Sequence, residues 1–164
     1  MIILGVDPGY AIVGWGVVRY DGNKFETIAY GAVTTAAGTP FPIRLQIIYD
    51  GMQDILQKYK PNAMSIEKLF FTNNQKTGID VAQARGVILL TAQQAGVEIA
   101  EYTPLQVKQA VTGYGKAEKN QIMEMTKILL SLKQVPKPDD TADALAMAIC
   151  HGHCSGSRLY NLKR

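Results

Sequence analysis

Ile2-Ile3-Leu4-Gly5-Val6-Asp7-Pro8-Gly9, followed by Ile12-Val13-Gly14-Trp15-Gly16-Val17-Val18-Arg19-Tyr20, is the stretch of this 164-residue chain whose reading decides the fold. The first run is nearly continuously apolar and rich in β-branched residues, which suits a buried strand. It ends on Asp7, where Pro8-Gly9 turns the chain. The second run, apolar with glycines interleaved, suits the neighbouring strand. Asp21-Gly22-Asn23 reads as a hairpin turn, and Lys24 to Val33 completes an antiparallel three-strand meander.

Beyond the meander the hydrophobic period changes. Ile43, Ile47, Ile48, Met52, Ile55, Leu56 and Tyr59 recur at helical spacing after Pro40 and Pro42, and the helix ends near Lys60-Pro61. Ala63 to Ile66 is a short buried strand that delivers Glu67 at its C-terminal end. A polar, aromatic loop over 70–77 precedes a second helix from about Ile79 to Ala95, stopped by Gly96. Val97 to Tyr102 is a fifth strand, and Thr103-Pro104 an N-cap and first-turn pair for a third helix. A fourth helix spans about Glu118 to Leu132 and a last one about Asp139 to Cys150. The order βββαβαβαα predicts an α/β fold, a mixed five-stranded sheet with helices on both faces.

At this length and 47% apolar composition the chain makes one domain, expected over residues 1–154, which buries about two-thirds of its unfolded surface. Residues 155–164 read as a flexible basic tail. The opening run reaches Asp7 too soon for a signal peptide, and no apolar stretch approaches the roughly 18 residues of a membrane span, so the expected location is cytoplasmic. A net charge of +3 does not by itself mark a nucleic-acid binder. Its distribution says more: cations thicken from Lys108 onward while the acids gather at 139, 140 and 143.

Four carboxylates stand out. Asp7 closes the first strand and Glu67 the fourth. Asp140 and Asp143 lie three apart in the first turn of the last helix and so project from one face, with Asp139 placed to cap it. Each has an ordinary explanation: turn preference for Asp7, solvation for Glu67, the helix dipole for the pair. Their combination shifts the balance, because Ala142, Ala144, Ala146 and Ala148 let that helix pack close to the sheet and carry its acids toward the strand ends. Converging carboxylates about 4 Å apart repel by roughly 4 kcal/mol per pair at an effective dielectric of 20. Protons or hard divalent cations must offset that, and oxygen ligands favour Mg²⁺, with Mn²⁺ as a substitute. Two such ions are the standard arrangement for attack of water on a phosphodiester.

Gly5-Val6-Asp7-Pro8-Gly9, Gly14-Trp15-Gly16-Val17-Val18, Ser65-Ile66-Glu67 with Phe70-Phe71 and Asn74, Gln83-Ala84-Arg85-Gly86, Glu101-Tyr102-Thr103-Pro104, Val107-Lys108 and Asp140-Thr141-Ala142-Asp143-Ala144-Leu145-Ala146 together resemble the RuvC family of bacterial Holliday junction resolvases. The likeness runs through essentially the whole chain. It implies a ribonuclease H-like fold and a homodimer that nicks two strands of like polarity in four-way junction DNA. The nicks would be ligatable, with 5′-phosphate and 3′-hydroxyl ends. It implies RuvA and RuvB as partners, and Asp7, Glu67, Asp140 and Asp143 as the catalytic and metal-binding acids. It also implies that Phe70 meets DNA as an aromatic, and that Lys108, Lys116 and Lys119 contact its backbone. Tyr10, Asn73 and Thr141 depart from the commoner pattern; none is a proposed ligand.

Other features keep two readings. Any one of the lysines is also an ordinary solvated helix lysine, and Arg85, beside Gly86, suits a local structural role as well as a DNA contact. Cys150-His151-Gly152-His153-Cys154 invites zinc, but five consecutive helical positions cannot face one ion and finger spacings are absent. His151 reads as a surface residue at a fraying helix end, or as one that approaches the acids along their helix. Alternatives for the whole chain are a ribonuclease H-like nuclease on other branched or hybrid nucleic acids, and a junction-binding module without catalysis. An actin-like ATPase shares the opening strand and turn but needs two such domains.

Overall fold

The computed structural model describes residues 1–69 and 75–156. Phe70, Phe71, Asn73, Asn74 and residues 157–164 of the expected tail lie outside the described residues. The elements are β1 (Ile2–Asp7), β2 (Ile12–Tyr20), β3 (Phe25–Thr34), α1 (Phe41–Tyr59), β4 (Ala63–Glu67), α2 (Gln75–Gln94), β5 (Glu98–Tyr102), α3 (Pro104–Thr112), α4 (Lys119–Leu129) and α5 (Asp139–Ser155). Among the described residues, no helix is long and apolar enough to cross a membrane.

The five strands form one mixed sheet in the order β3-β2-β1-β4-β5. The meander is antiparallel, whereas β4 joins β1 and β5 joins β4 in parallel. Period-2 alternation splits the sheet between two cores. Leu4, Val6, Val13, Val17, Met64 and Ile66 pack with Ile48, Met52, Ala84 and Ile88 of α1 and α2. Ile3, Val18, Ala100 and Tyr102 pack on the other face with α3 and α5, notably Val107, Leu145 and Ile149.

Helix α5 lies very close to β1 and β2, and glycine is the reason. A Cβ on Gly5 would collide with the Ala144 carbonyl oxygen and come within 2.7 Å of the Ala148 nitrogen; one on Gly14 would strike the Asp140 carbonyl. Bare glycine backbone on the strands thus meets the small Ala142, Ala144, Ala146 and Ala148 on the helix, all buried. Two hydrogen bonds fix the seat: Ser65 Oγ donates to the Met147 carbonyl at 2.7 Å, and Thr141 Oγ1 to the Gly31 carbonyl at 3.2 Å. Thr141, one of the departures noted above, therefore has a local role.

Several boundaries differ from the sequence reading. Helix α2 begins at Gln75, a turn early, because its first turn carries no apolar residue before Ile79. Helix α4 stops at Leu129, and Ser131 turns left-handed at φ 51° just beyond it. Helix α5 continues past Cys150 to Ser155 and includes the first residue assigned to the tail. Gly152, inside that extension, is there for packing: a Cβ would strike the Phe25 ring. Asp139 is not the cap. Pro138 holds that position without a side-chain bond, and Asp139 pairs with Lys137 at 2.7 Å. The expected Thr103 cap is present, with Gln106 completing a capping box.

Gly5→Ala should force α5 off the sheet and lower unfolding stability by about 2–3 kcal/mol, the upper part of the usual overpacking range. An unchanged urea midpoint would show that the helix has room the structure denies it.

Candidate active site

Strand register brings the first two acids together. β1 and β4 pair in parallel from Ile3↔Ala63 to Val6↔Ile66, so Asp7 and Glu67 leave adjacent strands at one edge of the sheet. Alternation sets their face: Leu4, Val6, Met64 and Ile66 belong to the α1/α2 core, which turns Asp7 and Glu67 toward α5. β1 is also where chain order reverses, with β2 on one side and β4 on the other. Clefts beyond the carboxyl ends of strands at such switch points are the usual ligand sites of open α/β sheets.

Helix α5 supplies the other two. Its first turn lies over Gly14, the ladder partner of Asp7, so the glycine that admits the Asp140 backbone sits directly across from Asp7. All four acids are half-buried. Asp7, Glu67 and Asp143 line a cleft of about 250 Å³ together with Lys108 and Lys119. Asp140 is outside that lining, yet its charge acts on Asp7. Lys116 is exposed in the connection between α3 and α4, also outside the lining.

The charges are strongly coupled. Burial, then repulsion from Asp143, Asp140 and Glu67, pushes the Asp7 carboxyl up to about 8, against the pull of Lys119. Burial and Asp143 raise Glu67, opposed by Arg85. Burial raises Asp143 as well, and Lys119, donating to its Oδ2 at 3.1 Å, opposes that rise. The same bond raises Lys119, which thus stays an ammonium beside the acids. Three carboxyls with elevated proton affinity around one cleft are groups whose charge requires a cation or a proton.

The donors are all carboxylate oxygens, the set that hard divalent ions prefer. Their chemistry fits such an ion, although among the described residues no three His, Cys, Asp or Glu side chains are gathered closely enough to hold a metal as they stand. Asp143 is bonded to Lys119 instead. The Cys/His cluster at 150–154 forms no such group either.

Three residues have places the sequence did not disclose. Lys119, expected at the DNA backbone, is paired with Asp143. His151 is not a surface residue: it is 1% exposed, its Nδ1 2.9 Å from the Tyr102 hydroxyl, because α5 continues to Ser155 rather than fraying. Arg85 takes its local role, donating from Nε to the Glu67 carbonyl at 3.0 Å and pairing with Glu101. Helical spacing between Gln83 and Gly86 gave no sign of either partner. Tyr10, the other described departure, lies under the Arg44 guanidinium at 5.5 Å.

The family model described as crossover junction endodeoxyribonuclease RuvC matches residues 3–151. The crossover junction endodeoxyribonuclease RuvC of Brevibacillus brevis is 60% identical over 92% of this chain and 91% of its own length. That of Ruminiclostridium cellulolyticum is 53% identical over 98% of both. T. thermophilus RuvC, solved in complex with a Holliday junction substrate, matches with a TM-score of 0.87 at 32% identity, covering 94% of this chain and 95% of that one. The fold and the whole-length likeness agree, and the chain belongs to the RuvC family of crossover junction endodeoxyribonucleases.

Proposed function

We propose that this chain is a structure-specific endonuclease that resolves Holliday junctions by nicking two strands of like polarity during DNA recombination and repair. The observation that carries the reading is the cleft in which Asp7, Glu67 and Asp143 stand beside Lys108 and Lys119. Family membership supports the substrate, since a relative of the same fold is solved with a Holliday junction.

Asp7, Glu67, Asp140 and Asp143 are the residues that would hold Mg²⁺, or Mn²⁺ in its place, at up to two positions. When bound, such ions lower the pKa of attacking water and stabilise charge on the scissile phosphate. The chain's own groups do the rest. The carboxylates orient and hold charge at the strand ends, and Lys108 and Lys119 draw the phosphate backbone into an otherwise anionic cleft. Lys116 extends that cationic surface, and Phe70 serves as the aromatic that stacks on an exposed base.

Two cuts in a two-fold substrate call for two copies of the chain. Ile79, Gln83, Gly86 and Leu90 recur on one exposed face of α2, with Ile79 65% and Leu90 54% exposed. Exposed Ile79 and Leu90 on one face, with the small Gly86 between them, suit a helix seated against a second copy. RuvA and RuvB, which move the branch point, are the expected working partners.

Leu90→Glu should convert a dimer to a monomer in sedimentation while leaving the monomer folded; an unshifted dimer would place the interface elsewhere. Asp7→Asn should lower the single-turnover rate on a synthetic four-way junction in Mg²⁺ by roughly 10³-fold, the scale of a lost metal contribution. Junction affinity should persist, and wild-type cutting by this variant would remove Asp7 from the metal site. Because the folded-state pKa of Asp7 lies above its ordinary value, the metal-free folded protein binds more protons than the unfolded chain between about pH 4 and 8. This contribution to stability is full below that window and lost as pH rises through about 8. Tm of the metal-free protein should therefore fall from about pH 5 to 8, and Mg²⁺ should raise Tm more at the upper end. A Tm gain from Mg²⁺ that is equal at both pH values would contradict the proton-cation exchange.

A further inference from the structure

Among the described residues, Arg85 is the one Lys, Arg, Asp or Glu that is buried, at 9% exposure. A guanidinium held out of water needs partners that repay its desolvation. Both partners are at the exit of the parallel strands. Nε donates to the Glu67 carbonyl at 3.0 Å, and Nη2 pairs with Oε2 of Glu101. The β4–β5 ladder runs as far as Glu67↔Tyr102, and the next amide, Lys68, donates to the Tyr102 carbonyl at 2.9 Å. Arg85 thus takes up the carbonyl of the acid-bearing residue itself, where the strand ends.

It does so from the far side of the sheet. Ala100 and Tyr102 pack on the α5 face, whereas Ile99 packs with the α1/α2 core, so alternation puts Glu101 on the α2 face with Arg85. The Glu67 carboxylate turns to the α5 face, and Arg85 does not line the cleft that it enters. A side chain only 10% exposed, with both ends engaged, is poorly placed to meet a phosphate.

Resting on the nuclease reading above, we propose that Arg85 is a positioning residue: acting through the Glu67 carbonyl, and itself anchored by Glu101, it fixes the end of β4 so that the Glu67 carboxylate faces Asp7 and Asp143. The guanidinium never touches metal or DNA. It restrains φ and ψ at the one acid whose longer side chain leaves an extra torsion to control. Groups that orient a metal ligand in this way typically change metal affinity or activity by 10- to 100-fold when removed.

The test compares wild type with Arg85→Gln, Arg85→Lys, Glu101→Ala, Glu67→Gln and the Arg85→Gln/Glu67→Gln pair. Three readouts are taken: Mn²⁺ affinity without DNA by electron paramagnetic resonance, single-turnover cleavage against Mg²⁺ concentration, and junction affinity without divalent ions. Arg85→Gln should weaken Mn²⁺ binding and raise the Mg²⁺ requirement by about 10- to 100-fold with junction affinity unchanged. Arg85→Lys should recover part of the loss, and Glu101→Ala should show a smaller loss in the same direction. In the Glu67→Gln background, Arg85→Gln should add nothing. Wild-type Mn²⁺ and Mg²⁺ behaviour in Arg85→Gln, a parallel fall in junction affinity, or additive losses in the double variant would each overturn the proposal. Should Arg85→Gln not fold, Glu101→Ala, which keeps the arginine, decides on the same readouts. A wild type that binds Mn²⁺ but cuts no junction would overturn the functional reading while the Mn²⁺ titrations still judge Arg85.

Discussion

The close seat of α5 on the glycine backbone of β1 and β2 is the contact on which the rest depends. Two of the four acids come from strand ends and two from a helix, so the distance between helix and sheet sets whether they interact at all. An ordinary helix–sheet spacing leaves a layer of side chains between the two backbones. Here Gly5 and Gly14 remove that layer on one side, and the alanines of α5 thin it on the other. Three of the four acids are aspartates, whose carboxyls sit one methylene from the backbone. Backbone placement therefore largely decides where their charge lies.

Bringing those charges together works against folding, and the structure distributes the counterweights. Lys119 comes from the first turn of α4 to hold Asp143, and its charge also lowers the proton affinity of Asp7. Arg85 offsets Glu67 from behind the sheet. Even so, Asp7, Glu67 and Asp143 are all raised from their ordinary values. The compensation is incomplete by design of the packing: the apolar seat that closes α5 onto the sheet supplies the stability that tolerates a charge imbalance at its edge. A bound hard cation would complete what two basic side chains leave undone.

Much of this was legible in the sequence, for identifiable reasons. β1, β2 and β4 are short runs with strong apolar character bounded by Pro, Gly or a charged residue, and Thr103-Pro104 is a local signal that needs no tertiary context. Their boundaries came out within a residue or so. Helix ends governed by long-range packing did not. The last helix was expected to end near Cys150, yet it runs on to Ser155 with Gly152 packed against Phe25. The four acids could be nominated from residue type and position, but each had an ordinary explanation, and the family likeness was needed to choose. The partners of Lys119, Arg85 and His151 lie 24, 16 or 18, and 49 residues away in the chain, beyond any periodicity.

The alternation of the sheet also divides labour between its faces. On the α5 face stand the acids, and their separations depend on how close the helix lies. On the α2 face stand the groups that hold the strands, and most of these touch the acids only through the shared backbone. Such coupling is strong where a strand ends, because the last residue has ladder partners on one side only and its torsions are otherwise loosely set. It is weak in the strand interior, where hydrogen bonds on both sides already fix the chain. A substitution on the α2 face should therefore influence the site according to its distance from the exits of β1 and β4 rather than from the sheet as a whole. Arg85 and Glu101 sit at that exit, whereas Ile48 and Met52 are buried in the core between the sheet and α1 and α2.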